Sequence, residues 1–204
     1  MKSHIQNKYR DRIDYDLIVD LIVDGSRVLD LGCGSGELLK RLEKEKNIRG
    51  QGIELLNDKV RDCISKGLSV VQTNINEGLS SYGDKAFDAV ILDLILESTL
   101  HPLELIKETL RVGKRVFINF PNFGYIKIRS QLFLGGKMPK TKELPCEWYD
   151  SPHVHLFTIA DFWDLCRKEK IKVVKVFYHN LKKRYRGLSP NLFAQYGLFV
   201  LEKS

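Results

Sequence analysis

Eight consecutive residues, Asp30-Leu31-Gly32-Cys33-Gly34-Ser35-Gly36-Glu37, concentrate the residue types best able to do chemistry in this chain. Alternating glycines let a backbone turn tightly, so that its amides approach a polar or anionic ligand. The dinucleotide fingerprint is GxGxxG. Here Gly32, Gly34 and Gly36 give GxGxG, and Glu37 stands where that fingerprint has its last glycine. A carboxylate directly after the turn is a poor neighbour for a pyrophosphate. Asp30, just before the glycines, is suited instead to an ammonium. Both details favour a ligand carrying an amino acid over one carrying two phosphates, and S-adenosylmethionine is such a ligand. Asp30, Gly32, Cys33, Gly34 and Gly36 are therefore expected to contact it.

Glu54 lies about twenty residues beyond the glycines, where a carboxylate can accept from both hydroxyls of a ribose. NAD would use the same acid, so Glu54 alone does not separate the two cofactors. Leu55 is counted beside it. The adenine is expected near Asn74, whose side-chain oxygen can accept from the adenine amino group, with Ile75 covering the ring. Asn74 reads equally well as a turn residue bonding its own backbone. Asp93 would face the methyl-donor edge. Methyl transfer is an in-line displacement from a sulfonium, for which alignment can supply on the order of 7–11 kcal/mol. A general base is then optional, and the catalytic residue stays unassigned, with Asp93 and His155 as candidates. His153 and His155 would share one face of a strand, but two imidazoles without a third ligand do not make a metal site, and none is expected.

These residues need a frame that brings them together. Apolar side chains at 13, 17, 18, 21 and 22 form a helical stripe. Short apolar runs at 27–31, 50–54, 69–73, 87–92 and 115–120 read as strands. Helical patterns at 37–46, 58–66 and 103–111 fall between them. That alternation predicts βαβ units and a parallel sheet covered by helices on both faces. Runs at 172–178 and 196–202 have no convincing helix between them. They must pair antiparallel, since a parallel connection needs a crossover of a dozen or more residues. The expected fold is α/β and Rossmann-like, a mostly parallel seven-stranded sheet with a C-terminal antiparallel hairpin. One domain over 1–204 is expected, with an insertion at about 121–152 that contains a short helix around 126–134. An irregular stretch of that length is usually functional. It follows strand five, at the edge where open α/β sheets bind ligands.

Composition removes several classes. With 43% hydrophobic and 29% charged residues, the 204-residue chain is ordinarily globular. No apolar run reaches the roughly 18–20 residues of a membrane span, and the polar start has no apolar leader. Four scattered cysteines read as reduced thiols, so a cytoplasmic protein is expected. The net charge of +7 is uneven. Residues 1–100 carry 14 basic and 17 acidic side chains, net −3, and residues 101–204 carry 19 and 9, net +10. A basic half can serve nucleic acid, an acidic protein or an anionic substrate, or be a solvated surface. No (N/D)PP(Y/F)-type tetrapeptide follows strand four and no RNA-binding module is visible, which argues against nucleic acid.

The turn at 30–39 (DLGCGSGELL) and the strand FDAVIL resemble class I S-adenosylmethionine-dependent methyltransferases. The longer string at 101–166, with its PNFG and LPCEWYDSP segments, resembles the methionine biosynthesis protein MetW family. That resemblance runs from about residue 13 to 178. It implies a methyltransferase fold, S-adenosylmethionine or S-adenosylhomocysteine as cofactor, and association with homoserine O-acyltransferase, acetyl or succinyl, which such proteins are thought to activate. The insertion is then the docking surface to expect. Phe123, Tyr125, Arg129, Trp148 and Tyr149 are its anchor-type residues, as is Phe133. The same residues could instead roof the cofactor pocket. The alternative function is a methyltransferase acting on a small molecule.

Overall fold

Apolar residues along each central strand point alternately to two sides and build two cores, which places the sheet between layers of helix. The computed structural model describes residues 12–75, 77, 79–141, 144–180 and 182–203. Its strands are β1 (Arg27–Leu31), β2 (Arg49–Glu54), β3 (Val70–Gln72), β4 (Phe87–Asp93), β5 (Gly113–Pro121), β6 (Lys172–Asn180), β7 (Lys183–Tyr185) and β8 (Tyr196–Glu202). The helices are α1 (Ile13–Leu21), α2 (Glu37–Lys46), α3 (Asn57–Ser65), α4 (Pro102–Val112), α5 (Ile126–Gly135), α6 (Ile159–Lys168) and the single turn α7 (Pro190–Phe193).

One sheet takes the order β3-β2-β1-β4-β5-β8-β6-β7. Strands β1 to β5 run parallel, and β8 lies antiparallel between β5 and β6. This is the expected Rossmann-like sheet with a C-terminal antiparallel pair, extended by one short strand. That eighth strand, β7, folds back on β6 over three residues, too few to carry a readable pattern. The strand order reverses between β1 and β4, which makes the carboxyl ends of those two strands the natural ligand crevice.

Leu29, Leu31, Val90, Leu92, Ile118 and Phe199 pack with Leu105 and Ile106 of α4 and Phe162 of α6 on one face. Val28, Ile91, Phe117, Leu198 and Val200 pack with Ile18 of α1 and Leu38, Leu39 and Leu42 of α2 on the other. Helix α6 is absent from the expected elements, yet its start is written plainly. Thr158 and Asp161 form a reciprocal capping box.

The segment from 121 onward is tied down at its base. The buried Asn122 donates to the carbonyls of Asn191 and Ala194 and accepts from the amides of Gly124 and Ile159. Phe120 packs its ring 4.7 Å from Phe157 and 4.8 Å from Phe162. Both ends of the insertion are thereby held against the carboxyl edge of the sheet. Inside it, α5 forms where a short helix is expected.

Candidate functional site

The glycine turn leaves β1 and hangs on the end of β2. The amides of Gly32 and Cys33 both donate to the Ile53 carbonyl, at 2.8 and 3.1 Å. Gly34 donates its N–H to Glu54 Oε2 at 2.9 Å, while Leu55 and Leu56 donate to Oε1 at 2.7 and 2.9 Å. Gly34 has φ +56°, and a Cβ built there meets no atom within 4 Å. The turn therefore presents bare backbone to open space, which is what a ligand cradle requires. The Cys33 and Cys63 sulfurs lie 3.9 Å apart below the turn. Burial pushes both thiols up, so both stay protonated.

Beside the turn, the carboxyl ends of β1, β4, β5 and β6 converge on a buried polar network. Arg12 donates to Asp93 Oδ2 at 2.6 Å, to Asp14 at 3.1 Å and to the Tyr15 hydroxyl at 3.2 Å. Asn119 donates its amide to Asp93 Oδ1 at 2.8 Å and to Asp14 Oδ2 at 3.1 Å. Its oxygen faces His179 Nε2 at 3.0 Å, so that nitrogen carries the proton. His179 in turn stacks on Tyr196, with centroids 5.1 Å apart. One guanidinium thus faces two carboxylates, with an amide bridging both. Burial pushes Asp93 up to about 6 although Arg12 opposes it. Asp30 is also raised well above the carboxylate range, by burial and then by Asp93. Burial lowers His179 to about 4, leaving a neutral imidazole.

On the other side of the β4 end, Glu97 sits in a short 3₁₀ turn, Leu96–Ser98. Its carbonyl accepts from the amides of Val154 and His155, at 2.8 and 3.0 Å. This clamp brings the far end of the insertion onto the sheet edge. Burial pushes the Glu97 carboxyl up to about 7.

Comparison with known proteins decides the family. A sequence profile described as Methionine biosynthesis protein MetW matches residues 12–201. The chain belongs to the MetW family. Over 203 residues it is 35% identical to the "Bifunctional methionine biosynthesis protein MetXA/MetW" of Rhodopirellula baltica. The match covers 94% of this chain and 33% of that protein, so the chain spans about a third of its relative's length. Two solved structures share the fold at low identity. A SAM-dependent methyltransferase from Archaeoglobus fulgidus is 21% identical, with TM-score 0.66 and 93% and 94% of the two chains covered. The complex between the Haloferax volcanii Trm112 methyltransferase activator and the putative methyltransferase contains a chain that is 16% identical. Its TM-score is 0.70, with 98% of this chain and 92% of that one covered.

In this MetW-family chain, Asp30, Gly32, Cys33, Gly34, Gly36 and Glu54 come together at the β1 and β2 ends, with Asp93 across from them at the end of β4. Leu55 projects into solvent beside Glu54. Asn74 and Ile75 follow β3, and Ile75 lines a hollow of about 180 Å³ with Leu79, His101 and Leu105. The two catalytic candidates belong to different clusters. Asp93 is in the Arg12 network, whereas His155 lies with Glu97, its Nε2 3.5 Å from the Leu100 carbonyl. Residues 153–155 are irregular backbone and not a strand, because the His153 amide goes to the Ser151 hydroxyl and those of Val154 and His155 go to Glu97, none to a sheet neighbour. Of the anchor-type residues, Trp148 and Tyr149 are 74% and 72% exposed, and Phe133 is 88% exposed. Phe123 and Tyr125 are half-buried, and Arg129 bonds the Gly124 carbonyl.

Sequence reasoning did not single out Arg12, Asp14, Tyr15, Asn119, His179, Tyr196 or Glu97. One signal was readable: Asn119 interrupts the otherwise apolar end of β5, and a lone amide there implies polar partners. Arg12, Asp14 and His179 gave none, because only the fold brings the first helix and the sixth strand to the same edge.

Proposed function

We propose that this protein binds S-adenosylmethionine on the glycine turn and serves, in the cytoplasm, as an accessory subunit that activates homoserine O-acyltransferase in methionine biosynthesis. The observation that carries the reading is the curated relative, whose name joins MetXA and MetW in one chain. A family found fused to another methionine-biosynthesis part is suited to act beside a partner enzyme. The resemblance supplies homoserine O-acyltransferase, acetyl or succinyl, as that partner.

The residues present fit the cofactor. Gly34 opens onto free space, Glu54 stands at its rim for a ribose, and Asn74 and Ile75 suit an adenine. Asp30 and Asp93 suit the ammonium of the methionine moiety. When bound, the cofactor would supply an electrophilic methyl at the β4 edge. For docking, Phe133, Leu134, Trp148 and Tyr149 are exposed apolar residues of the insertion, and the last two touch, with ring centroids 5.5 Å apart. The test is the rate of the same organism's homoserine O-acyltransferase, alone and with this protein at equal concentration. A large rise supports the accessory role. No rise and no co-elution on a sizing column overturn it.

A second reading is a methyltransferase on a small molecule, favoured by the carboxyl groups of Asp93 and Glu97 at the donor edge. Formation of S-adenosylhomocysteine in the presence of a small-molecule extract would support it. Its absence across extracts that contain the acceptor pool would count against it.

A further inference from the structure

Among the buried polar atoms without a partner, two that the cofactor and docking readings do not use lie on one cavity. Glu97 is 3% exposed, and its Oε2 has no hydrogen-bond partner. The Nδ1 of His153 is also buried without a partner. Both residues line a single cavity with Phe123, Leu144 and Leu156. The cavity measures about 10 Å³, roughly the room of one water-sized group. Unpaired buried acceptors in native proteins call for an occupant.

The cavity does not stand alone. Phe123, Leu144, His153 and Leu156 also wall an adjoining groove of about 590 Å³, which continues past Met138 and Trp148. A water-sized, mostly apolar recess, into which Glu97 and His153 bring two unpaired polar atoms, thus shares its wall with a drug-sized groove of mixed lining. Among the described residues no lysine or arginine forms an ion pair with Glu97. The lysines of the groove, Lys137 and Lys140, are absent from the recess, and Lys140 already pairs with Glu147.

We infer that this groove is a small-molecule site for a primary amine on an apolar body, the ammonium seated against Glu97 and His153 and the body lying in the groove. An ammonium has the size of the recess and three N–H donors for Glu97 Oε2 and His153 Nδ1. It also offsets the desolvation that holds the Glu97 proton on, since a cation beside a buried carboxyl favours the charged form. A neutral alcohol of the same shape supplies one donor and no charge. The site does not depend on the methyl donor, and it shares Trp148 with the proposed docking surface.

Cys146 lines the groove and is exposed, so it reports occupancy. The experiment measures the rate at which methyl methanethiosulfonate modifies Cys146 in the full chain at pH 7.5, by peptide mass spectrometry. Phenethylamine at 10 mM should slow modification at least fivefold, and 2-phenylethanol less than twofold. Glu97→Gln should erase the difference between the two compounds. Equal protection by amine and alcohol in the wild-type protein overturns the inference and leaves an apolar groove over a buried water. No protection by either also overturns it, as does undiminished amine selectivity in Glu97→Gln. The wild-type comparison needs no variant, so a folding defect in Glu97→Gln does not blunt the test.

Discussion

The backbone amide of Gly34 donates to the Glu54 carboxylate across 2.9 Å, so the turn after β1 and the acid that ends β2 form one unit. Glu54 also receives the amides of Leu55 and Leu56. The acid that suits a ribose is therefore also the post on which the turn is built.

Glu54→Ala should consequently lose stability as well as cofactor affinity. Three backbone donors lose their acceptor, and one left unsatisfied costs about 1–3 kcal/mol. Urea unfolding of the variant without ligand checks this. An unchanged midpoint would mean that water replaces the carboxylate at all three amides.

Gly34→Ala and Gly36→Ala should separate binding from folding. Both glycines have positive φ, +56° and +76°, so each substitution carries a backbone cost of roughly 1–2 kcal/mol. At Gly34 the new methyl meets only open space. At Gly36 it would lie 2.2 Å from Leu68 Cδ1 and 3.0 Å from the Cys63 sulfur. Such overpacking adds about 1–3 kcal/mol. Gly34→Ala should therefore abolish S-adenosylmethionine binding in calorimetry while staying the more stable of the two, and the reverse order of stability would contradict the geometry.

Glu97 should make stability depend on pH. Its carboxyl is raised from 4.5 to about 7 in the folded protein, by burial and then by Asp93. Between those values the folded state holds a proton that the unfolded chain has released, so stability falls as pH rises through the window. Glu97→Gln lacks that titration. The variant should gain on the wild type between pH 4.5 and 7, by about 3 kcal/mol at most. His179, lowered to about 4, titrates in both proteins and cancels in the difference, whereas Asp93, raised to about 6, acts on Glu97 and cancels only in part. Parallel stability curves would show that Glu97 is ionised in the folded state.

Thiol chemistry should single out one cysteine of the four. Cys146 is exposed, whereas Cys33, Cys63 and Cys166 are buried. Burial raises all three buried thiols, with Cys166 at about 11. A thiol-reactive disulfide reagent should titrate a single fast thiol in the native protein and the rest only on unfolding. Two fast thiols would mean that the turn region opens readily.

Trp148→Ala and Phe133→Ala should weaken co-elution with homoserine O-acyltransferase while leaving the fold intact. Both side chains are mostly exposed, so stability should move by no more than about 0.5 kcal/mol. A buried aromatic anchor at an interface is worth about 2 kcal/mol or more, close to 30-fold in affinity. Unchanged affinity in both variants would move the docking surface elsewhere.

The parts legible in the chain were those whose signal is local. The glycine turn, the acid ending β2 and the alternation of short apolar runs with helical stripes each lie within a few residues. The antiparallel ending followed from the absence of a long helix between β6 and β8, a matter of chain length alone. Helix α6 was equally local, marked by Thr158 and Asp161, and went unread.

What the chain determined by itself was thus the sheet, its helical cover and the edge on which a ligand would lie. Only the tertiary structure decided what surrounds that edge. It joined Arg12 and Asp14 to Asp93, Asn119 and His179, and it set His153 beside Glu97 to form a recess. Those residues come from the first helix region, three strands, the 3₁₀ turn after β4 and the irregular segment beyond the insertion, and hydrogen-bonded pairs among them are as far apart as the 105 residues between Asp14 and Asn119. Hydrogen bonds and buried charge act over a few ångströms in space, and proximity of that kind leaves no periodicity in the sequence to read.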